Sequence, residues 1–308
     1  MAEDEALVYE FKDDNAFQES FKQIRDFRRE MIFSDIVICS DDERDFHCHK
    51  VILASGSPYF RAMFLVDMKE SQQTKIKIKG LDSQALEQLL EFCYTSKAII
   101  NSENVQQLVV AAGMLQFPKI QESCMEFLIN NIDAANCIGI WKLAEAVQSN
   151  GTVIVENLES YIKTNFSFVA KHDEFQDLTV EQLSKFLESE ELNIVTEDDI
   201  SSAIIRWVRF DPGKRAVHLG NLIKNVRFFS LTRRHLMDVI LNEELIVNDP
   251  FCRRTVFDAI RYHLLPESRH AQRSYAKNKA REKTTRYIYM LGGEGKAGYS
   301  KNFQSTWL

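Results

Sequence analysis

Glycine is scarce in this chain, 11 among 308 residues, yet Gly292, Gly293, Gly295 and Gly298 crowd into seven positions near its end. No two cysteines stand in a C-x-x-C spacing, which excludes the compact zinc and redox motifs. The six cysteines, Cys39, Cys48, Cys93, Cys124, Cys137 and Cys252, lie far apart and mostly in apolar segments. That pattern predicts buried free thiols in a reducing compartment, the cytoplasm or the nucleus. Basic charge is not in excess. A net charge of -7 argues against a general nucleic-acid footprint, which needs a positive field along one face. No apolar run approaches the roughly 20 residues that span a bilayer, so no membrane is expected. The opening MAEDEALVYEF is acidic and lacks the apolar stretch of a secretory leader. G-x-S-x-G, H-E-x-x-H and Walker patterns are all missing, and no nucleophile–base–acid set stands out.

What is present suits a globular protein. Hydrophobic residues make up 45%, and the length suggests about two domains. After an acidic, loose head over residues 1–14, Asn15 to Glu30 reads as a helix. Phe17, Phe21, Ile24 and Phe27 share one face of it. Arg25, Arg28 and Arg29 close it in the sense that the helix dipole favours. A helix this short cannot hide four large apolar groups alone, so the stripe must meet another surface.

Strand signals follow. Phe33 to Ser40 and Asp45 to Ala54 flank the turn Asp41-Asp42-Glu43 and read as a hairpin. Ser57-Pro58 reads as N-cap and first residue of a helix. Lys75-Ile76-Lys77-Ile78-Lys79 alternates, which predicts a half-buried strand with lysines outward. Asp82 and Ser102 read as caps of two further helices, and another runs through Ile120, Cys124, Phe127 and Leu128.

From about Asp133 the strand signals stop. Thr179 to Gln182 fits a capping box. Thr196 reads as the cap of a helix whose face is Ile200, Ala203, Ile204, Trp207 and Val208, ended by Asp211-Pro212-Gly213. Residues 133–266 thus read as all-helical, and 267–285 as a basic linker. The closing run, Tyr287 to Leu291 followed by the glycines, spells G-x-G-x-x-G after a strand. A dinucleotide site needs a helix next and an acidic residue about 20 positions on. Only ten residues follow Gly298, so the fingerprint fails on context and no cofactor is expected.

These elements match a known family. The stretch FSDIVICSDDERDFHCHKVILASGSPYFRAMF closely resembles the opening of a BTB (POZ) domain, through Ser34-Asp35-Ile36, Phe46, His49-Lys50, Leu53-Ala54 and Ser57-Pro58-Tyr59-Phe60. NCIGIWKLAEAVQS resembles the start of a BACK domain and AIRYHLLPESR its end. YIYMLGG resembles the first strand of a kelch repeat. In that order the three are similar to the Kelch-like proteins. The expected fold is an α+β BTB domain, helices around a small mixed sheet, over 15–132. An all-α BACK domain of helical pairs follows over 133–266, with an incomplete first kelch repeat over 286–308.

The resemblance implies a non-enzymatic, substrate-specific adaptor of a cullin-3 RING ubiquitin ligase. The BTB domain would homodimerise and grip the cullin, and a kelch propeller would hold an unknown protein substrate. Phe17, Phe21, Ile24 and Phe27 resemble the helix face that packs across the BTB two-fold axis. The family's hydrophobic-x-Glu signature falls on Met68 and Glu70. Ala62, Tyr94, Leu115, Gln116 and Phe117 occupy positions matching other cullin contacts. Ile138, Ile140, Trp141 and Ala144 match the groove for the cullin's N-terminal extension. VRFFSLTRRHL departs from the family's Pro-Leu-Leu type turn, which leaves the local turn geometry open. A structural or actin-associated BTB-kelch protein, a transcriptional co-regulator and a short competitor form lacking substrate recognition remain alternatives.

Two rival constellations fare worse. His47-Cys48-His49 invites a metal reading, but a closed zinc site needs four ligands and no second cluster has suitable spacing. A reactive thiolate at Cys48, favoured by neighbouring His47, His49 and Lys50, would be opposed by burial in the hairpin. The basic stretch Arg269 to Lys283 reads as a solvated linker, since no DNA-reading module accompanies it.

Overall fold

The structure is a computed structural model that describes residues 10–65, 73–147 and 152–265. Internal contacts divide the chain into two units, Met1–Leu183 and Ser184–Leu308.

The first unit is built on a three-stranded sheet in the order β2-β1-β3. β1 (Ile36–Cys39) and β2 (Asp45–Cys48) form the expected hairpin, antiparallel with Ile36 opposite Cys48 and Ile38 opposite Phe46. β3 (Lys75–Lys77) lies parallel to β1 on its other side. A parallel neighbour requires a crossover. α2 (Lys50–Gly56) and α3 (Pro58–Leu65) lie within that connection. Ile76 and Ile78 are buried while Lys75, Lys77 and Lys79 are exposed, as the alternation predicts. The lysines sit on an open edge, where charge opposes pairing with another chain.

Around the sheet lie α1 (Ala16–Arg29), α4 (Ser83–Thr95), α5 (Val105–Met114) and α6 (Pro118–Asn130). α4 starts where Asp82 predicts. The Asp82 carboxylate accepts the backbone N–H groups of Gln84 and Ala85 at 3.0 and 2.9 Å, satisfying two donors that have no partner inside the helix. Leu86, Leu89 and Leu90 then bury completely, spaced for one face. Gly56 ends α2 against α4; a Cβ there would stand 2.7 Å from Cys93 Sγ, so a larger residue would have to displace that sulfur.

α7 (Cys137–Val147), α8 (Thr152–Thr164), α9 (Phe166–Val169) and the start of α10 (Val180–Glu188) complete the unit. The capping box predicted ahead of α10 forms in both directions. Gln182 N–H donates to Thr179 Oγ1 at 3.2 Å, and Thr179 N–H donates to Gln182 Oε1 at 3.1 Å.

The second unit is helical throughout its described residues. α11 (Glu197–Phe210) buries Ile200, Ala203, Ile204, Trp207 and Val208, the face its spacing predicts. The departure VRFFSLTRRHL forms a tight 3-10 turn over Phe228–Ser230. Arg227 just before it is buried and ion-paired with Glu190 and Glu197, and its backbone N–H donates to Glu197 Oε2 at 3.3 Å. Burying a guanidinium requires this pairing.

The structure corrects four local expectations. The second strand stops at Cys48 and Lys50–Gly56 is helical, because burying Ile52 and Leu53 together needs a helical face. Phe33 is not in a strand; it has φ 60° in the turn before β1. α5 begins at Val105 rather than at Ser102, after a turn in which Asn101 Oδ1 accepts the N–H groups of Glu103 and Asn104. Thr196 holds the N-cap position of α11 but its side chain makes no capping bond.

Candidate partner-binding surfaces

α1 buries none of its residues. Its C-terminal half is held to α4 by Arg28, which pairs with Glu91 at 2.5 Å and lies over the Tyr94 ring, 5.0 Å from its centroid. Its N-terminal half presents the apolar stripe. Phe17 is 80% exposed and Phe21 41%. Ile24 is half-buried, as is Phe27, which meets Phe33 edge-on at 5.3 Å. Sequence reasoning missed Phe11, Met31 and Phe33 as companions; all three are exposed. Phe33 was concealed because a strand reading placed it inside the fold.

A second surface forms where α3 and the α5–α6 turn meet. One hydroxyl organises it. Ser57 Oγ donates to the Leu115 carbonyl at 2.6 Å and accepts Phe60 N–H at 3.3 Å. The serine of the Ser-Pro pair therefore starts α3 and fixes the turn at Leu115 together. Gln116 takes φ 56° there and is exposed. Leu115 and Phe117 on either side turn inward and are buried, Phe117 edge-on to Phe92 at 6.1 Å. Ala62 is exposed on α3. Met68 and Glu70 lie outside the described residues, as do the linker and the glycine-rich end.

Tyr94 is buried. Its phenol oxygen accepts His49 N–H at 2.9 Å and lies 3.1 Å from His49 Nδ1. Ile138, Ile140, Trp141 and Ala144 are likewise buried along α7. Glu174 caps the start of that helix, accepting Gly139 N–H at 2.8 Å, where an anion suits the helix dipole. Of the described residues matched to cullin contacts, Ala62 and Gln116 are thus exposed. Tyr94, Leu115, Phe117, Ile138 and Trp141 are buried.

The rival constellations take definite forms. β2 ends at Cys48, so His47 and His49 do not share a strand face: His47 points outward, and His49 turns in as the N-cap of α2. Burial pushes the Cys48 thiol above its usual pKa, against the partial relief from Arg28. This burial opposes the reactive-thiolate reading. Cys93, Cys137 and Cys252 are pushed up to about 12 by burial and Cys124 to about 11. Among the described residues no three His, Cys, Asp or Glu side chains are grouped to hold a metal ion. Nor is any described helix long and apolar enough to cross a membrane. Ser201 Oγ and His235 Nε2 meet at 2.7 Å, but the serine is fully buried and both carboxylate oxygens of Asp198 accept from Thr232. This contact fastens the second unit.

The BTB/POZ domain model matches residues 24–132, and the model described as BTB And C-terminal Kelch (BACK) matches residues 137–241. Kelch-like protein 17 of Mus musculus and of Homo sapiens is each 34% identical over 253 residues, 82% of this chain and 39% of the relative. Kelch-like protein 3 of Pongo abelii is 33% identical over 247 residues, 80% of this chain and 42% of the relative. The chain belongs to the Kelch-like family. It spans about two fifths of the length of these relatives, and the matched part is the BTB–BACK region. A solved BTB domain of zebrafish PATZ1 aligns over 40% of this chain and 100% of its own, at 24% identity and a TM-score of 0.37.

Proposed function

We propose that this protein is a non-catalytic adaptor that pairs with a second copy through its BTB domain and recruits a cullin-3 scaffold, so that the ubiquitin-transfer chemistry belongs to its partners. The observation that carries the reading is a BTB domain followed directly by a BACK domain in one Kelch-like chain. The exposed Phe17 and Phe21 support homodimerisation. An isologous dimer buries one patch against its own copy, and apolar rings are its best material. Cullin contact would centre on Met68 and Glu70, with Ala62 and the Gln116 turn beside them. Met adapts to a groove and a carboxylate can pair with a partner's donor. Substrate choice would rest with kelch repeats. Free cysteines, five of them buried, suit a reducing compartment, and we place the protein in the cytoplasm or the nucleus. Titration of the full chain with the cullin's N-terminal domain by calorimetry tests the proposal. A saturable heat at one cullin per chain supports it, and no heat rejects it.

A further inference from the structure

β2 is an edge strand, and its outer side is only partly closed. The Val37 N–H donates to Thr74 O at 2.8 Å, toward β3, while Ser40 N–H donates to Arg44 O at 3.0 Å, toward β2. Val37 and His47 therefore face each other as a non-hydrogen-bonded pair. The main-chain groups of Asp45 and His47 point away from the sheet. One step further along, the edge is closed, because the His49 N–H is taken by Tyr94 Oη. Beside the open positions lies a groove of about 530 Å³, within the size range of ligand sites. It is lined by Arg28 and Arg29 at the end of α1, Glu87 and Glu91 of α4, and residues 45–47 of β2. Gln88 also lines it, and its Oε1 is buried with no hydrogen-bond partner among the described residues.

The charges select the occupant. Each carboxylate of the groove already has a cation: Glu91 has Arg28, Glu87 has Arg44 at 2.9 Å, and Asp45 has Lys75 at 2.6 Å. Arg29 is 62% exposed at its side chain, and its nearest carboxylate in the described chain, Asp26, is 3.9 Å away. We propose that this groove is a docking site for an extended, acidic peptide segment of a partner protein. The segment adds a strand to β2 through the main chain of His47 and places a carboxylate on Arg29. Main-chain pairing gives such a site affinity, and the charge gives it selectivity.

The test is selection of random phage-displayed peptides on the full chain, followed by fluorescence anisotropy with the best synthetic peptide. His47→Pro removes the outward N–H at a position where an edge strand tolerates proline, and Arg29→Glu reverses the selecting charge at the surface. The expected peptides combine β-branched residues with Asp or Glu, and each variant weakens binding by roughly tenfold or more. Circular dichroism should show both variants folded, and Arg29→Glu alone suffices should the proline disturb the strand. Failure to enrich any peptide, enrichment without acidic residues, or equal binding to parent and variants overturns the proposal. So does a concentration-dependent mass increase abolished by His47→Pro, which would assign the edge to a second copy.

Discussion

Tyr94 closes the end of β2: its phenol oxygen accepts the backbone N–H of His49 at 2.9 Å, in a buried site. Arg28 covers the same ring from α1, so one side chain joins β2, α4 and α1. Tyr94→Phe keeps the shape and leaves the His49 N–H without a partner. Its cost should be about 1–3 kcal/mol, read as a lower urea midpoint at unchanged slope.

The Asp82 cap is a local test of the fold. Asp82→Ala removes an acceptor shared by two N–H groups and should cost about 1 kcal/mol. Asp82→Asn should retain most of the stability, since the amide oxygen can still accept. Thermal unfolding of the two variants distinguishes a cap from a mere charge effect.

The desolvated thiols should make stability fall in alkali. Cys93, Cys137 and Cys252 are raised from 9.0 to about 12 in the folded chain. An acid with a raised folded pKa favours folding in its neutral form. That contribution is complete below the unfolded value near 9 and is lost as pH rises toward 12. Denaturation midpoints should hold between pH 7 and 8.5 and fall above about pH 9. Thiol labelling at pH 8 should be far slower than in the denatured chain, and equal rates would contradict the burial.

The proposed dimerisation would rest on α1. Phe17→Asp with Phe21→Asp places charges where the rings are exposed, so each protomer should stay folded. Light scattering should report a dimer for the parent and a monomer for the double variant. A dimer that survives the double substitution would move the interface elsewhere.

Helices whose period and caps agree were legible in the sequence: Asp82 before α4, the Thr179–Gln182 pair before α10, and the inward stripe of α11. Lys75 to Lys79 was legible because alternation leaves one reading. The segment after Cys48 was not. Val51, Ile52 and Leu53 suit a strand locally, and the helix forms because Ile52 and Leu53 bury together and the His49 N–H is claimed by Tyr94. Phe33 was illegible because its positive φ serves a turn that β-like neighbours conceal. The α1 stripe was legible in its spacing, whereas the cullin-contact positions were located by resemblance, which aligns positions and carries no information about exposure. That is why Tyr94, Leu115, Phe117, Ile138 and Trp141 came forward as contacts although packing turns them inward.

The adaptor reading is tested most directly by calorimetry of the cullin-3 N-terminal domain against the parent chain and the variant Met68→Asp with Glu70→Ala. A saturable interaction with the parent is expected, weakened at least about tenfold in the variant, a difference of about 1.4 kcal/mol or more, while Tm stays the same. No binding by the parent, or equal binding by both, would contradict it.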